Sequence, residues 1–527
     1  MKTNACNANV VIQKAFYPLS SNLKDLPVSL ELLIQIEDFK STLFLPLSSC
    51  NASGIQKNCP LVLFKNKKER DKFDAEFISS LIQGLKDGSI QHGYYFEKVG
   101  TTIFPDGHIC FLRGSELIGK CDRPYLLSPE IRDMDLLHNC APMSKLISTL
   151  LASPKQVLPV FSYVILSSIR SLLIENDVNL QAVLYIVGKQ GLGKTTLATK
   201  IAGIYEREKK TIGIVQAGST HASVNSLLST LRDQPVIIDD LCLSASRTTT
   251  RKCIELASKL IRQGTGHIPI TKKMGNTNVE LPCEASLIMT AEFHLENLSD
   301  LTRCIIVPIQ KPLNLPPELT PELIGNAIRH FSLWFTQHES EEIARFRNDI
   351  AASADKTIDT RMSTNYICIK TALESFLCSL DENDLSTTDR DRILKNMDSA
   401  LKQSKKHHEN MIAEVKESIP IGNISFCILE GYRNGAFNLA KHKKDLDKCG
   451  GIKWKGDLCL KSSELISFVR QQPSYHNWSS RKIVSALKTD HALVIQEEEA
   501  ATVHLEEKLP RVYRIRIKVL KQTAKKF

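Results

Sequence analysis

The sequence holds 15 cysteines in 527 residues, yet no two of them stand at the Cys-x-x-Cys spacing. An odd number of scattered thiols excludes a disulfide framework and a zinc finger. His108 lies near Cys110 and Cys121, but the spacing is poor for a metal, and reduced, half-buried thiols are expected there. Long apolar runs are missing too. The most apolar stretch, Val157 to Ile174, is interrupted by Pro159, Ser162, Ser167, Ser168 and Arg170, which reads as a buried helix or helix pair rather than a bilayer span. Met1 to Ser20 has no apolar segment behind Lys2 and carries Asn4, Asn7 and Asn9, so no secretory signal is expected. A cytoplasmic protein without a membrane partner follows. Internal repeats and low-complexity tracts are absent, and 24 Gly with 21 Pro exclude a fibrous or disordered chain.

What is present is an ordinary core-forming composition, 42% hydrophobic and 24% charged, in a length that suggests about three or four domains. The fold class expected is α/β. Residues 1–140 alternate short apolar runs, Leu43–Leu47, Pro60–Phe64 and Ile109–Leu112, with turn signals such as Pro105-Asp106-Gly107, which predicts an α+β domain. Its Asp133 and Asp135 have an Asp-x-Asp spacing without a preceding apolar strand, so a solvated helix end is expected there rather than a metal site. Between 141 and 335, helical stretches alternate with Ala182–Val187, Thr211–Val215, Pro235–Ile238, Ser286–Thr290 and Cys304–Pro308, which predicts a parallel sheet flanked by helices. Residues 336–455 read as a helical spacer or lid, with Ser353–Thr360 a loose connection and Thr388–Ser418 a long surface helix. The last part, 456–527, predicts helices over Ser462–Gln471 and Ser479–Lys488 and strands over Ala492–Gln496 and Arg511–Val519.

The strongest chemical signal is Gly188-Lys189-Gln190-Gly191-Leu192-Gly193-Lys194-Thr195, followed by Thr196, which fits the P-loop pattern and directly follows the apolar run 183–187. Glycines let the backbone present N–H groups to phosphate oxygens, and a helix starting near Lys194 adds its positive end. Lys194 is expected to neutralise the β and γ phosphates of ATP, and Thr195 to ligate Mg²⁺. A second acidic strand end is needed, and Val236-Ile237-Ile238-Asp239-Asp240 supplies it. Asp239 is assigned to the Mg²⁺ shell and Asp240 to the attacking water, where a shorter carboxylate than Glu must approach closer. Thr290, ending a third strand, could touch the γ phosphate or the water, with Glu292 just beyond it. Arg303, before the next strand, has the place of an arginine finger reaching a neighbouring subunit; Arg329 reads as edge packing.

Ile268 to Leu281 reads as a β-hairpin around Gly275-Asn276 with Lys272 and Lys273 near its tip, placed to meet a nucleic-acid backbone inside a ring. In the last part, Arg481, Lys482 and Lys488 decorate a helix backed by Ile483, Val484 and Leu487. That pattern predicts a winged helix-turn-helix, which can hold DNA or another protein. Eight cations and no acid lie between Lys508 and Phe527.

These residues together resemble the AAA+ helicase-like ATPases encoded with primases on phages, plasmids and integrative elements, related to superfamily three and to minichromosome-maintenance helicases. The resemblance covers about 155–335 and rests on Gly188 to Thr195, Asp239-Asp240, Gln263-Gly264-Thr265-Gly266, Thr290-Ala291-Glu292 and Arg303. A C-terminal winged helix after a helical spacer is also similar to the self-loading replicative helicases of cassette-type mobile elements. The resemblance implies a homo-hexameric ring that hydrolyses ATP between subunits and moves on single-stranded or forked DNA, alongside a separate primase or polymerase. Asp240 stands where relatives carry Glu, and Thr290 where they often carry Asn. A nucleotide-controlled AAA+ switch or defence-type regulator, with the winged helix binding protein or DNA, is the alternative expectation.

Overall fold

The computed structural model describes residues 6–19, 26–216, 219, 221–242, 247–266, 268–274, 277–352, 360–418, 424–472, 475–476, 478–489, 492–493, 505 and 511–524. The chain is a mixed α/β protein with two compact units, 1–408 and 409–527.

The first unit begins with a five-stranded sheet in the order Phe39–Pro46, Ser29–Ile36, Asn9–Pro18, Gln91–Phe96, Tyr125–Leu127. Leu30, Leu32 and Ile34 alternate into its core, as a half-buried strand requires. Helix Lys67–Asp87 turns Phe73, Phe77 and Leu81 onto the same core at four-residue intervals. Asn66 caps its N-terminus by accepting from Glu69 N, and Gly88, at φ 72°, ends it. The run Pro60–Phe64 departs from the strand expectation. There the Asn7 amide accepts from Leu63 N (2.7 Å) and donates to Leu61 O (3.0 Å), so a side chain takes the place of a neighbouring strand. The Pro105-Asp106-Gly107 turn closes the hairpin of strands Gly100–Ile103 and Ile109–Arg113.

One sheet, ordered Ile214–Gln216, Pro235–Leu241, Ser286–Ala291, Val183–Val187, Cys304–Pro308 with every pairing parallel, takes up four of the five apolar runs read from the sequence; the fifth, Thr211–Val215, is split, Ile214 and Val215 joining this sheet while Thr211 pairs antiparallel with Glu206 in another. Val183–Val187 is buried at every position, which explains its unbroken apolar sequence. The apolar stretch after Gln156 is indeed two helices, Val157–Ser167 and Arg170–Glu175. Its serines are tolerated in the core because Ser162 and Ser167 donate back to Leu158 O (2.8 Å) and Tyr163 O (2.7 Å). Among the described residues no helix is long and apolar enough to cross a membrane.

The helices after residue 335 do not stand clear of this core. Thr360–Cys378 is buried along most of its length, and its Phe376 meets Phe161 edge-on at 5.1 Å. Thr387–Ser418 turns Ile393, Met397, Ala400, Leu401 and His408 inward, and His408 Nε2 lies 3.1 Å from Leu301 O. Of the connection expected over Ser353–Thr360, residues 353–359 lie outside the described residues and Thr360 already begins the next helix.

The second unit packs helices Ile424–Arg433, Ser462–Gln471, Ser480–Thr489 and Ile517–Ala524 on a four-stranded sheet ordered Leu439–Ala440, Gly451–Trp454, Asp457–Lys461, Val512–Ile515. The helices over 462–471 and 480–489 match the sequence reading. The strand expected over Arg511–Val519 stops at Ile515, and Ile517 with Leu520 then buries one face of a helix. The cause is an apolar pattern that serves both periods, since 513, 515, 517 and 519 alternate while 517 and 520 share a helical face. Of Ala492–Gln496, Leu493 bridges to Ile515, and 494–496 lie outside the described residues.

Candidate functional site

The site forms at the carboxyl ends of the parallel strands, where adjacent loops diverge and leave a crevice. Strand Val183–Val187 leads into the glycine-rich loop 188–193 and then into helix Lys194–Ala202. Glycine is needed at 188 because a Cβ there would lie 2.3 Å from Ile309 O, just past the end of the neighbouring strand. It is needed at 193 because φ is 89° at the residue that caps the helix. Lys194 is 8% exposed, and its Nζ donates to Lys189 O at 2.8 Å, folding the side chain back along the loop. Glu292 Oε1 lies 4.0 Å from the same ammonium.

Asp239, buried on the adjacent acidic strand, is the centre of the polar cluster. Its Oδ1 accepts from Thr195 Oγ1 at 2.8 Å and from Thr290 Oγ1 at 2.6 Å, and its Oδ2 lies 3.4 Å from Gln216 Nε2. Four separate elements therefore meet at one carboxylate. Asp240 points elsewhere for a reason the sequence did not show. The register between the acidic strand and Ser286–Ala291 slips between Ile238 and Leu241, and Asp240 adopts φ 64° in the resulting bulge. Such a bulge re-aims the side chain, and Asp240 is exposed beside the cleft while Asp239 is buried. Thr290 Oγ1 also accepts from Asp240 N at 3.1 Å, fixing the bulge to the third strand.

The cleft between these groups has a volume of about 370 Å³ and is lined by the loop, Lys194, Thr195, Thr196, Asp240, Thr290 and Glu292. A larger cavity of about 520 Å³ lies at the opposite end of the sheet beside Arg170. Size therefore does not single out the cleft; the convergence of polar groups does. The negative field of its carboxylates is felt at Cys242, whose thiol is raised above its usual range by burial first, with Asp240 and Glu292 adding to it. Among the described residues no group of three or more His, Cys, Asp or Glu side chains could hold a metal alone. A hydroxyl and a carboxylate 2.8 Å apart fit instead a small hard cation whose remaining ligands are phosphate and water.

Arg303 is not at this cleft. Val183 pairs with Cys304 and Val187 with Pro308, so Arg303 precedes the start of its strand, about 13 Å of strand away from the loop. It is 5% exposed, its Nη1 donates to Ser299 O and Oγ, and its Nε has no partner among the described residues. Arg329 makes an ion pair with Glu116 at 2.8 Å. The hairpin read from the sequence is formed by Ile270–Met274 and Thr277–Leu281, with Lys272 opposite Val279 and Lys273 opposite Asn278; its turn residues 275 and 276 lie outside the described residues. Sequence reasoning missed what holds it. Arg170, read only as a charge unsuited to lipid, donates to Gly264 O (2.9 Å) and Cys283 O (3.3 Å), one on each side of the hairpin.

In the second unit, Arg481 and Lys482 are exposed on helix Ser480–Thr489, Lys488 is half-buried, and Lys482 Nζ lies 4.3 Å over the Trp478 ring. His108, Cys110 and the Lys120 carbonyl form a hydrogen-bonded group in which His108 Nε2 lies 2.7 Å from Lys120 O, and His108 Nδ1 also meets Asp106.

No family model matches the chain, and no curated protein matches it. Among solved structures, "SCCmec type IV Cch - active helicase" is similar over 98% of this chain and 95% of its own length, with a TM-score of 0.56 and 13% identity. The two share an overall fold. Two ligand-bound structures of JCV helicase align at TM-score 0.20 with 12% and 13% identity, over 50% of this chain and 65% of theirs, which is too weak to carry an argument.

Proposed function

We propose that the chain is an ATP-dependent DNA helicase with a P-loop core of the AAA+ type, working as a ring on single-stranded DNA. The observation that carries this reading is the meeting of the Thr195 and Thr290 hydroxyls on Asp239 beside a glycine loop closed by Lys194. The loop's N–H groups and the start of helix Lys194–Ala202 receive phosphate oxygens, and Lys194 leaves the Lys189 carbonyl for the β and γ phosphates. Thr195 and Asp239 are the residues that hold Mg²⁺, which when bound supplies positive charge to the phosphate oxygens. Asp240, exposed at the cleft by its bulge, orients the attacking water, while Thr290 keeps Asp239 and Asp240 in fixed relation.

Arg303 lies too far from its own cleft to contact the γ phosphate there, and a finger role in a neighbouring subunit's cleft would require its buried side chain to leave Ser299. Lys272 and Lys273 contact the DNA backbone from the hairpin, and Arg481, Lys482 and Lys488 contact a fork from the winged helix of the second unit. The likeness to a helicase described as belonging to SCCmec supports a mobile-element replication role, with priming by a separate primase or polymerase.

ATP hydrolysis measured with and without single-stranded DNA, alongside mass in solution with ATP, tests the reading. Stimulation by DNA and a hexamer-sized species are expected. A Lys194→Ala protein that still unwinds a forked duplex would remove the motor assignment.

A further inference from the structure

The hairpin and the Asp239 cluster are joined through one short helix. The hairpin is fixed at its base, where Arg170 holds Gly264 O and Cys283 O. Beyond that base, helix His221–Thr230 packs against the strand Ile270–Met274, and Asn225 Nδ2 donates to Thr271 O at 3.0 Å. Thr271 immediately precedes Lys272 on that strand. Asn225 is buried, and its Oδ1 has no partner among the described residues. A buried amide with one half unmet is costly where an apolar side chain would fit, so packing alone does not account for an asparagine here.

At its other end the same helix follows the strand Ile214–Gln216, and Ser219 N donates to Gln216 O at 2.9 Å between the two elements. This strand is at the edge of the parallel sheet, paired on one side only, and its last residue, Gln216, stands opposite Asp239 in the register. Both hydroxyls of the cluster donate to Oδ1 of Asp239, which leaves Oδ2 to Gln216 Nε2 alone among the described residues, at 3.4 Å. A bond that long is weak and readily given up. Oδ2 is therefore the oxygen through which the carboxylate can gain a cation, and Gln216 is the group that covers it.

We propose that Asn225 and Gln216 are positioning residues that couple the hairpin to hydrolysis. Force on the hairpin reaches Thr271, moves the helix through Asn225, and draws Gln216 off Oδ2 of Asp239, freeing that oxygen for the cation. This rests on the reading of Asp239 as a Mg²⁺ ligand and of the hairpin as a DNA contact. A tilt of the hairpin about its Arg170-held base displaces Thr271 while residues 264 and 283 stay in place, so the motion is delivered to the helix and not to the sheet. The contacts from Thr271 to Asp239 form a contiguous physical route. Their order fixes the sign of each effect. Without Gln216 the oxygen is open whether or not DNA is bound, so basal hydrolysis rises; without Asn225 it stays covered, and the basal rate does not change.

The test measures ATP hydrolysis by the full chain with Mg²⁺, without DNA and with single-stranded oligothymidylate at concentrations that saturate each protein, binding being followed by anisotropy. The parent is expected to be stimulated about 5-fold or more, the usual size of coupling between two sites. Asn225→Ala should keep the parental basal rate and lose most of the stimulation. Gln216→Ala, at an exposed position, should raise the basal rate toward the parent's stimulated rate and respond little to DNA. The double variant should behave as Gln216→Ala alone, because Gln216 acts later in the route. Lost packing lowers both rates together and raises neither. A stimulated parent with an equally stimulated Asn225→Ala protein would overturn the coupling alone, as would a Gln216→Ala protein with a lowered basal rate and the parental stimulation ratio. A double variant with the parental basal rate would reverse the order and overturn it too. A parent whose hydrolysis does not respond to bound DNA would overturn the helicase reading itself, and the coupling with it.

Discussion

A single segment, 233–241, carries a buried carboxylate at each of its ends, and the two have opposite kinds of partner. Asp233, 1% exposed, accepts from Ser171 N (2.6 Å), Ser171 Oγ and Thr101 N (3.0 Å), while its own carbonyl receives the fully buried Arg113 at 3.3 Å. Two of its donors are backbone groups fixed by the elements they belong to, and Arg113 also reaches Ser168 O and Ser332 Oγ. Asp239, 5% exposed, is met by side chains of the described residues, two hydroxyls and an amide, beside an open cleft. Hydroxyls rotate and can give up a carboxylate to a cation; backbone N–H groups cannot. The first end is therefore built to stay as it is, and the second to exchange partners.

The largest expected effect tests that difference directly. Asp239→Asn should lower ATP hydrolysis more than about 10²-fold, because the site loses a full charge where phosphate charge is neutralised. Its melting midpoint should stay close to the parent's, because both hydroxyls meet Oδ1 and an amide oxygen there still accepts from them. Asp233→Asn should behave in the reverse way. An amide directs an N–H at one of three donors, which at a buried site costs about 3 kcal/mol and lowers the melting midpoint by about 5 °C or more. Hydrolysis per folded molecule should be nearly unchanged. Equal losses of rate and stability in both proteins would erase the distinction between the two ends.

The sequence made only one of these carboxylates visible. Asp239 was legible because it ends an apolar run at a plausible interval from a glycine loop, and such patterns are local. Asp233 has no local signature: its donors come from residues 101 and 171, and Arg113 reaches it from far along the chain. The bulge at Asp240 was hidden for a related reason, since register depends on the partner strand and not on the strand's own residues. Four strands of the parallel sheet were legible because burial on both faces leaves unbroken apolar runs, whereas the edge strand Ile214–Gln216, with only Val215 buried, was misplaced by three residues at its start. The small sheet of the second unit was not, because Gly451–Trp454 mixes Lys453 with apolar neighbours in four residues and Leu439–Ala440 is only two residues long.

A smaller effect is expected at Thr290, which belongs to the exchanging end but contributes no charge. Its hydroxyl donates to Asp239 and accepts from Asp240 N, so it links the buried acid to the exposed one. Thr290→Val keeps the shape and removes both bonds. Hydrolysis should fall about 10-fold, the size expected when an orienting hydrogen bond is lost and the charges remain. Stability should fall by about 1 kcal/mol, because Asp240 N is left without its acceptor. A nucleotide affinity that falls as much as the rate would place Thr290 in binding rather than in alignment of the two acids.

The smallest effect reads the field of the cleft with no nucleotide and no turnover. The Cys242 thiol is raised by burial, and Asp240 and Glu292 raise it further because a thiolate beside a carboxylate is repelled. Removing a negative charge therefore lowers its pKa and enlarges the thiolate fraction at a given pH. Alkylation of Cys242 by iodoacetamide at pH 8, followed by mass spectrometry, should be a few-fold faster in Asp240→Asn than in the parent. The gain should shrink as pH rises past the thiol's own pKa, where both proteins are ionised. In Asp233→Asn the rate should not change, since that carboxylate lies at the other end of the segment and does not act on Cys242. An Asp240→Asn protein alkylated at the parental rate would mean that burial alone sets the thiol, and that the exposed acid is turned away from the cleft.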